Sequence, residues 1–224
     1  MVRTLIVDNH PLFIRGLASL IESKREYKVV AEAATPADAL AAAVKEKPDL
    51  AIMELNLGND SGIDLIPRLK SQNPDTAILV LSMYDERFYS ERVLRMGARG
   101  YIMKTEPVNK VLDAVRAVAS GKIYLSDIER ERILEAMTGE TQRGGKDWTI
   151  SIQKLTDREL QVFACIGKGL GTIEIANIFN ISTKTIDTHK EHLKIKLHCN
   201  STQELRRLAI EWSSHPGNPN APGL

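Results

Sequence analysis

The sequence predicts an α/β domain, a doubly wound parallel sheet of (βα)5 type, followed by a small all-α domain of four helices. Three observations predict it. Short aliphatic and β-branched runs alternate five times with amphipathic helical patterns in the first 120 residues, as a parallel sheet covered by helices on both faces requires. From Ser151 to Trp212 the strand pattern stops. In that second stretch Ser and Thr recur where helices begin.

The strands read as Thr4–Val7, Lys28–Ala33, Leu50–Met53, Ala77–Leu81 and Gly100–Met103. Between and after them, "PLFIRGLASLIES", "PADALAAAVKEK", "GIDLIPRLKSQ", "ERFYSERVLRMG" and "PVNKVLDAVRAVASG" place apolar residues three and four apart, the helical period. Short connections make right-handed crossovers the expectation, and open α/β sheets bind at the carboxyl ends of their strands. In the second domain Thr156 with Glu159 and Ser201 with Glu204 fit the S/T-x-x-E capping box, and Ser182 suits an N-cap. Helices are predicted to start near 157, 172, 183 and 202. "GKGLG" at 167–171 follows a helix, so it reads as a C-cap and tight turn and not a phosphate loop. The boundaries expected are 1–121 for the α/β domain, 122–150 for a linker with one helix and glycines at Gly144 and Gly145, 151–212 for the helical domain, and 213–224 for a disordered tail.

Composition limits the function classes. Hydrophobic residues at 43% can bury a core, and a net charge of +1 neither demands nor excludes nucleic acid. No run approaches the roughly 18 apolar residues of a membrane span, and the chain passes from Met1 straight into a strand pattern, so a cytoplasmic protein without a membrane partner is expected. Cys165 and Cys199 lack metal spacing and read as packing residues.

Chemistry concentrates at "LAIMELNLGNDSG", residues 50–62, where an apolar run delivers Glu54 to the mouth of the sheet and a loop with Asn56, Gly58, Asn59 and Gly62 follows. With Asp8 in "LIVDNHPLF", Ser82 in "LVLSMYD" and Lys104 in "GARGYIMK", the first domain resembles the receiver of two-component response regulators, with a flavodoxin-like fold. "LTDREL" and "EIANIFNISTKTIDTHKEHLKIKL" resemble a LuxR-type helix-turn-helix, so the whole chain resembles the NarL/FixJ class. The resemblance implies a phosphorylated aspartate after the third strand, a Mg²⁺ ion, a sensor histidine kinase as partner, and homodimers on DNA.

The chain departs from that pattern twice. Glu54 stands at the phospho-acceptor position, and Asn9 replaces the second acid after the first strand. A divalent ion would find Asp8, Asn9, Glu54 and Asn56, a weak or absent Mg²⁺ site because a hard cation is held largely by charge. The extra methylene moves the carboxylate by about 1.5 Å, and misplacement on the order of 1 Å costs about a hundredfold in rate. It also pushes negative charge toward Ser82 and Lys104, the positions that in the family contact the phosphoryl group and draw the switch aromatic, here Tyr101, inward. Glu54 has one charge and two oxygens against nearly two charges and three oxygens for a phosphorylated aspartate, and so imitates it in part. A non-enzymatic transcription regulator with a degraded phosphorylation site, independent of phosphorylation or constitutively biased and requiring no cofactor, is the reading. Alternatives stay open: Glu54 locking Lys104 in a receiver that serves as a dimerisation scaffold, an engineered Asp-to-Glu phosphomimetic in an ordinary phosphoswitch, and an interaction scaffold that does not bind DNA.

In the segment 183–197, Ile186, His189, Leu193 and Leu197 form a core-facing stripe. Lys184, Thr188, Glu191 and Ile195 face away, flanked by Asp187, Lys190 and Lys194. Base reading is assigned to Lys184, Thr188 and Glu191, and phosphate contact to Lys190, Lys194 and Lys196, with Thr172 capping its helix or meeting a phosphate. Asp187 and Glu191 cost energy near a polyanion and favour selectivity. Nine Lys and Arg against seven Asp and Glu between 151 and 212 make a monomer a weak binder.

Overall fold

The computed structural model describes residues 1–57, 60–84, 86–138, 152, 155–179 and 181–214. The linker expected at Gly144 and Gly145 and residues 215–224 of the tail expected at 213–224 lie outside the described residues, whereas Ser213 is the buried last residue of a helix and Ser214 its cap. The chain divides into two compact units, Met1–Glu140 and Thr141–Leu224.

In the first unit, β1 (Val2–Val7), β2 (Tyr27–Ala33), β3 (Leu50–Met53), β6 (Ala77–Ser82) and β7 (Gly100–Met103) form one parallel sheet in the order β2-β1-β3-β6-β7. Helices α1 (Pro11–Glu22), α2 (Pro36–Glu46), α3 (Gly62–Gln72) and α4 (Glu86–Arg95) make the four crossovers, and α5 (Val108–Ala119) follows the last strand. The order reverses beside β1, which is the switch point where such sheets open a crevice. The all-buried run Leu50–Met53 is what a strand covered on both faces demands. The core pairs Ile6, Ile52, Leu79 and Ile102 of the sheet with Ile14, Leu17 and Ile21 of α1 and Val111, Val115 and Val118 of α5.

The loop expected after Glu54 contains a short antiparallel ladder, β4 (Asn56–Leu57) with β5 (Asp60–Ser61). Gly62 is not a loop glycine: it opens α3, and a Cβ there would meet the Glu54 carbonyl oxygen at 2.3 Å. After α5 the chain returns to the sheet at a parallel bridge, Gly100 with Tyr124. It then forms α6 (Asp127–Thr138), which packs against α4 and falls within the first unit.

The second unit holds α7 (Asp157–Gly167), α8 (Thr172–Phe179), α9 (Thr183–Lys196) and α10 (Thr202–Ser213). Thr156 and Glu159 form the full capping box, whereas Ser201 makes only its half: the Glu204 carboxylate takes the Asn200 amide at 2.7 Å. Gly169, at φ +84°, turns the chain after α7. A Cβ on Gly167 would sit 1.8 Å from Ser213 Oγ, so α7 and α10 cross at a contact only glycine permits. Phe163 and Trp212, centroids 5.2 Å apart, anchor that crossing. Among the described residues no helix is long and apolar enough to cross a membrane.

Candidate functional site

Four parallel strands end at one edge, so the residues that close them meet there. Asp8 follows β1, Glu54 follows β3, Ser82 ends β6 and Lys104 follows β7. Lys104 Nζ lies 2.5 Å from Asp8 Oδ2 and 2.9 Å from Glu54 Oε2. The Ser82 hydroxyl donates to Glu54 Oε1, which also accepts the Leu55 amide at 2.6 Å and the Asn56 amide at 3.2 Å. Asp8 Oδ1 accepts the His10 amide at 2.9 Å and lies 3.0 Å from His10 Nδ1. Glu54, Asp8 and Ser82 are 3%, 2% and 0% exposed. Burying these charges is tolerable only because each carboxylate oxygen is engaged. The Lys104 ammonium also sits 4.1 Å from the Phe13 ring centroid.

Tyr101, the expected switch aromatic, is fully buried and its hydroxyl donates to the Tyr84 carbonyl at 2.7 Å. The Tyr84 amide donates to Ser82 Oγ at 3.2 Å, and the Tyr84 ring stacks on Tyr89 of α4 with centroids 5.0 Å apart. The four expected receiver residues Glu54, Ser82, Tyr101 and Lys104 are therefore one connected cluster around the Tyr84 backbone.

The donor set is a poor match for magnesium. That ion requires near-octahedral oxygen donors at about 2.0–2.1 Å and is held by carboxylates. Here the ammonium of Lys104 lies between the two carboxylates, and every oxygen of Asp8 and Glu54 already has a protein partner. Asn9, half-buried, supplies no charge, and the Asn56 side chain belongs to an exposed residue. Two acids and one lysine leave a single net negative charge.

In the second unit α9 buries Ile186 and Leu193 completely, its C-cap Leu197 is 6% exposed and His189 is half-buried, as the stripe predicts. Lys184, Asp187, Thr188 and Glu191 are exposed and Ile195 is 71% exposed. The phosphate candidates are less free than expected. Lys196 Nζ pairs at 2.7 Å with the buried Glu159 carboxylate, Lys194 with Glu191 at 2.8 Å, and Lys190 with the Thr172 hydroxyl at 2.5 Å. Lys196 is thus a strut between α9 and α7. Burial works against the Glu159 carboxylate, but the Lys196 ammonium and the Thr156 amide and hydroxyl hold it below the ordinary range. Burial, helped by Arg158 and His192, lowers the His189 imidazole, whose Nδ1 is buried without a partner.

Residues 4–116 match the response regulator receiver domain, and residues 153–209 match the luxR family of bacterial regulatory proteins. The oxygen regulatory protein NreC of Staphylococcus carnosus is 31% identical over 211 residues, 94% of this chain and 97% of that relative. The chain belongs to the two-domain response regulators of the LuxR family. A solved LuxR-family two-component response regulator from Aurantimonas sp. SI85-9A1 is 28% identical, with a TM-score of 0.58 over 62% of this chain and 99% of its own. RcsB from Salmonella enterica serovar Typhimurium, solved bound to the promoter rprA, shares the fold at 23% identity and a TM-score of 0.66, covering 93% of this chain and 98% of its own.

A LuxR-family response regulator is a DNA-binding regulator of transcription, and the two clusters fall in the two parts of the chain where that architecture places signal reception and DNA binding. Sequence reading missed His10 and Phe13, which brace Asp8 and Lys104. Their position, two and five residues beyond Asp8 at the start of a helix, is the signal that could have found them.

Proposed function

We propose that this response regulator binds DNA without a phosphorylation step, because Glu54 holds the receiver permanently where a phosphorylated aspartate would hold it for a time. The observation that carries this is that one side chain reaches both family contacts of the phosphoryl group: the Ser82 hydroxyl through Oε1 and the Lys104 ammonium through Oε2. The inward, hydrogen-bonded Tyr101 fits that arrangement. The same contacts disfavour phosphoryl transfer, since both carboxylate oxygens are committed and no suitable metal site accompanies them.

At the other end of the mechanism, α9 lies in the major groove as the second helix of the helix-turn-helix. Lys184, Thr188 and Glu191 read base edges, with Asp187 restricting which sequences are accepted. Lys190 and Lys194 reach phosphates by exchanging their internal partners, Thr172 and Glu191, for the backbone. With so modest a positive charge per domain, a homodimer on two half-sites supplies the affinity. Selection of bound duplexes from a random pool tests this with the full-length, unmodified chain. A recovered two-fold repeat and an affinity falling steeply with salt are expected; binding without base preference or salt dependence would leave only the scaffold reading.

A further inference from the structure

Helix α6 meets α4 through polar groups, and two of them, Ser90 and Glu129, are fully buried. Glu129 is 0% exposed; the Ser90 hydroxyl of α4 donates to its Oε1 at 2.5 Å, and Arg132 grips both its oxygens at 2.7 and 2.8 Å. One turn earlier, Ser126 caps α6 by accepting the Glu129 amide at 3.1 Å and donates its own proton to Glu86 in the first turn of α4. Two of the apolar side chains of α6, Ile128 and Leu134, turn to solvent and are 76% and 56% exposed. An interface of this kind has two states. Closed, the carboxylate is satisfied by Ser90 and Arg132; opened by an ångström or two, it is resolvated by water, and intermediate separations leave it unpaired.

The other side of α4 leads back to the Glu54 cluster. Tyr89, adjacent to Ser90, stacks on Tyr84, whose amide donates to Ser82 Oγ and whose carbonyl accepts the Tyr101 hydroxyl. Beyond α6 the chain runs into the second unit, which begins at Thr141.

We propose that α6 is a latch: the Ser90–Glu129 and Glu86–Ser126 contacts transmit the position of α4, set by the Glu54–Ser82–Tyr84 cluster, to the segment that carries the DNA-binding unit. The proposal rests on Glu54 acting as the receiver's fixed signal. Loss of the Glu54 carboxylate shifts α4 and opens the latch, which releases α6 from α4.

Hydrogen exchange on the full-length protein tests it, with the amides of α6 followed against those of α2 as an internal reference for global unfolding. Ser90→Ala is expected to speed α6 exchange about tenfold relative to α2, and Glu54→Gln to speed it several-fold. The double variant is expected to go no further than Ser90→Ala alone, since both act through one contact. If Ser90→Ala raises α2 exchange as well, Glu86→Gln, which loosens Ser126 without disturbing the buried carboxylate, takes its place with the same expectation. α6 exchange that ignores Glu54→Gln, or effects that simply add, would overturn the latch. DNA affinity of Glu54→Gln separates the two ideas: a changed affinity with unchanged α6 exchange sinks the latch alone, and changed exchange with unchanged affinity sinks the Glu54 reading alone.

Discussion

Two charged regions of this chain handle their ions in opposite ways. At the carboxyl edge of the sheet Asp8, Glu54 and Lys104 are almost wholly buried, and each carboxylate oxygen has a partner within the protein. On α9 Lys184, Asp187, Thr188 and Glu191 stand in solvent. The difference is one of dielectric. A buried charge is tied to one geometry and is costly to strand, so its cluster can store a fixed state. An exposed charge is worth little to folding and remains available to a partner. On the function proposed above, the receiver end would hold a signal and the α9 end would offer its charges for recognition.

The largest expected effect comes from breaking the buried cluster. Lys104→Met strands two carboxylates in the interior, and urea denaturation is expected to show the first unit destabilised by about 3–5 kcal/mol. A loss under about 1 kcal/mol, the size of a surface pair, would erase the contrast between the two regions. Next is Gly62→Ala. Its Cβ would meet the Glu54 carbonyl at 2.3 Å, and overpacking of that kind costs about 1–3 kcal/mol, with the cluster displaced as well.

The exposed face responds differently. Lys184→Ala is expected to leave stability within about 0.5 kcal/mol. It would weaken DNA binding by about 1–3 kcal/mol if Lys184 reads a base, or lower the salt slope by about 1 if it meets a phosphate. Lys196→Ala sharpens the comparison from the same helix. It frees the buried Glu159 carboxylate, so stability falls while the salt slope holds.

The smallest effect is acid sensitivity of the second unit. His189 is lowered from its ordinary 6.5, so below that pH the unfolded chain takes up a proton the folded one resists, and stability drops as pH falls from about 6.5. Glu159, also lowered, gives stability that is present above about 4.5 and lost as pH falls through its folded value. Trp212 is buried in the second unit, and the sequence has one further tryptophan, Trp148. Their fluorescence during thermal melts is expected to show a lower midpoint at pH 5.5 than at pH 7.5, and His189→Gln to flatten that difference.

Much of this was legible in the sequence, for physical reasons. Buried parallel strands are continuous apolar runs, and helix caps are chemical, so the five sheet strands and the starts at 157, 172, 183 and 202 could be read directly. Asp8, Glu54, Ser82 and Lys104 were named from the resemblance to a receiver, and they meet because each closes or follows a strand of the one parallel sheet. The β4–β5 ladder was not, since two-residue strands have no period. The docking of α6 was hidden because its sequence, "DIERERILEAMT", reads as a solvated charged helix, and nothing local reveals that Glu129 is the buried member. Lys196 was assigned to phosphate because Glu159 lies 37 residues away, a contact only the packing of α7 on α9 creates.

The most direct test is DNA affinity of the full-length protein at fixed salt, measured with and without acetyl phosphate and Mg²⁺, alongside Glu54→Gln. Tight binding that the phosphodonor does not change and that Glu54→Gln weakens is the result expected of a receiver held by its own glutamate. Affinity that rises with acetyl phosphate and Mg²⁺, or that is indifferent to Glu54→Gln, would contradict it.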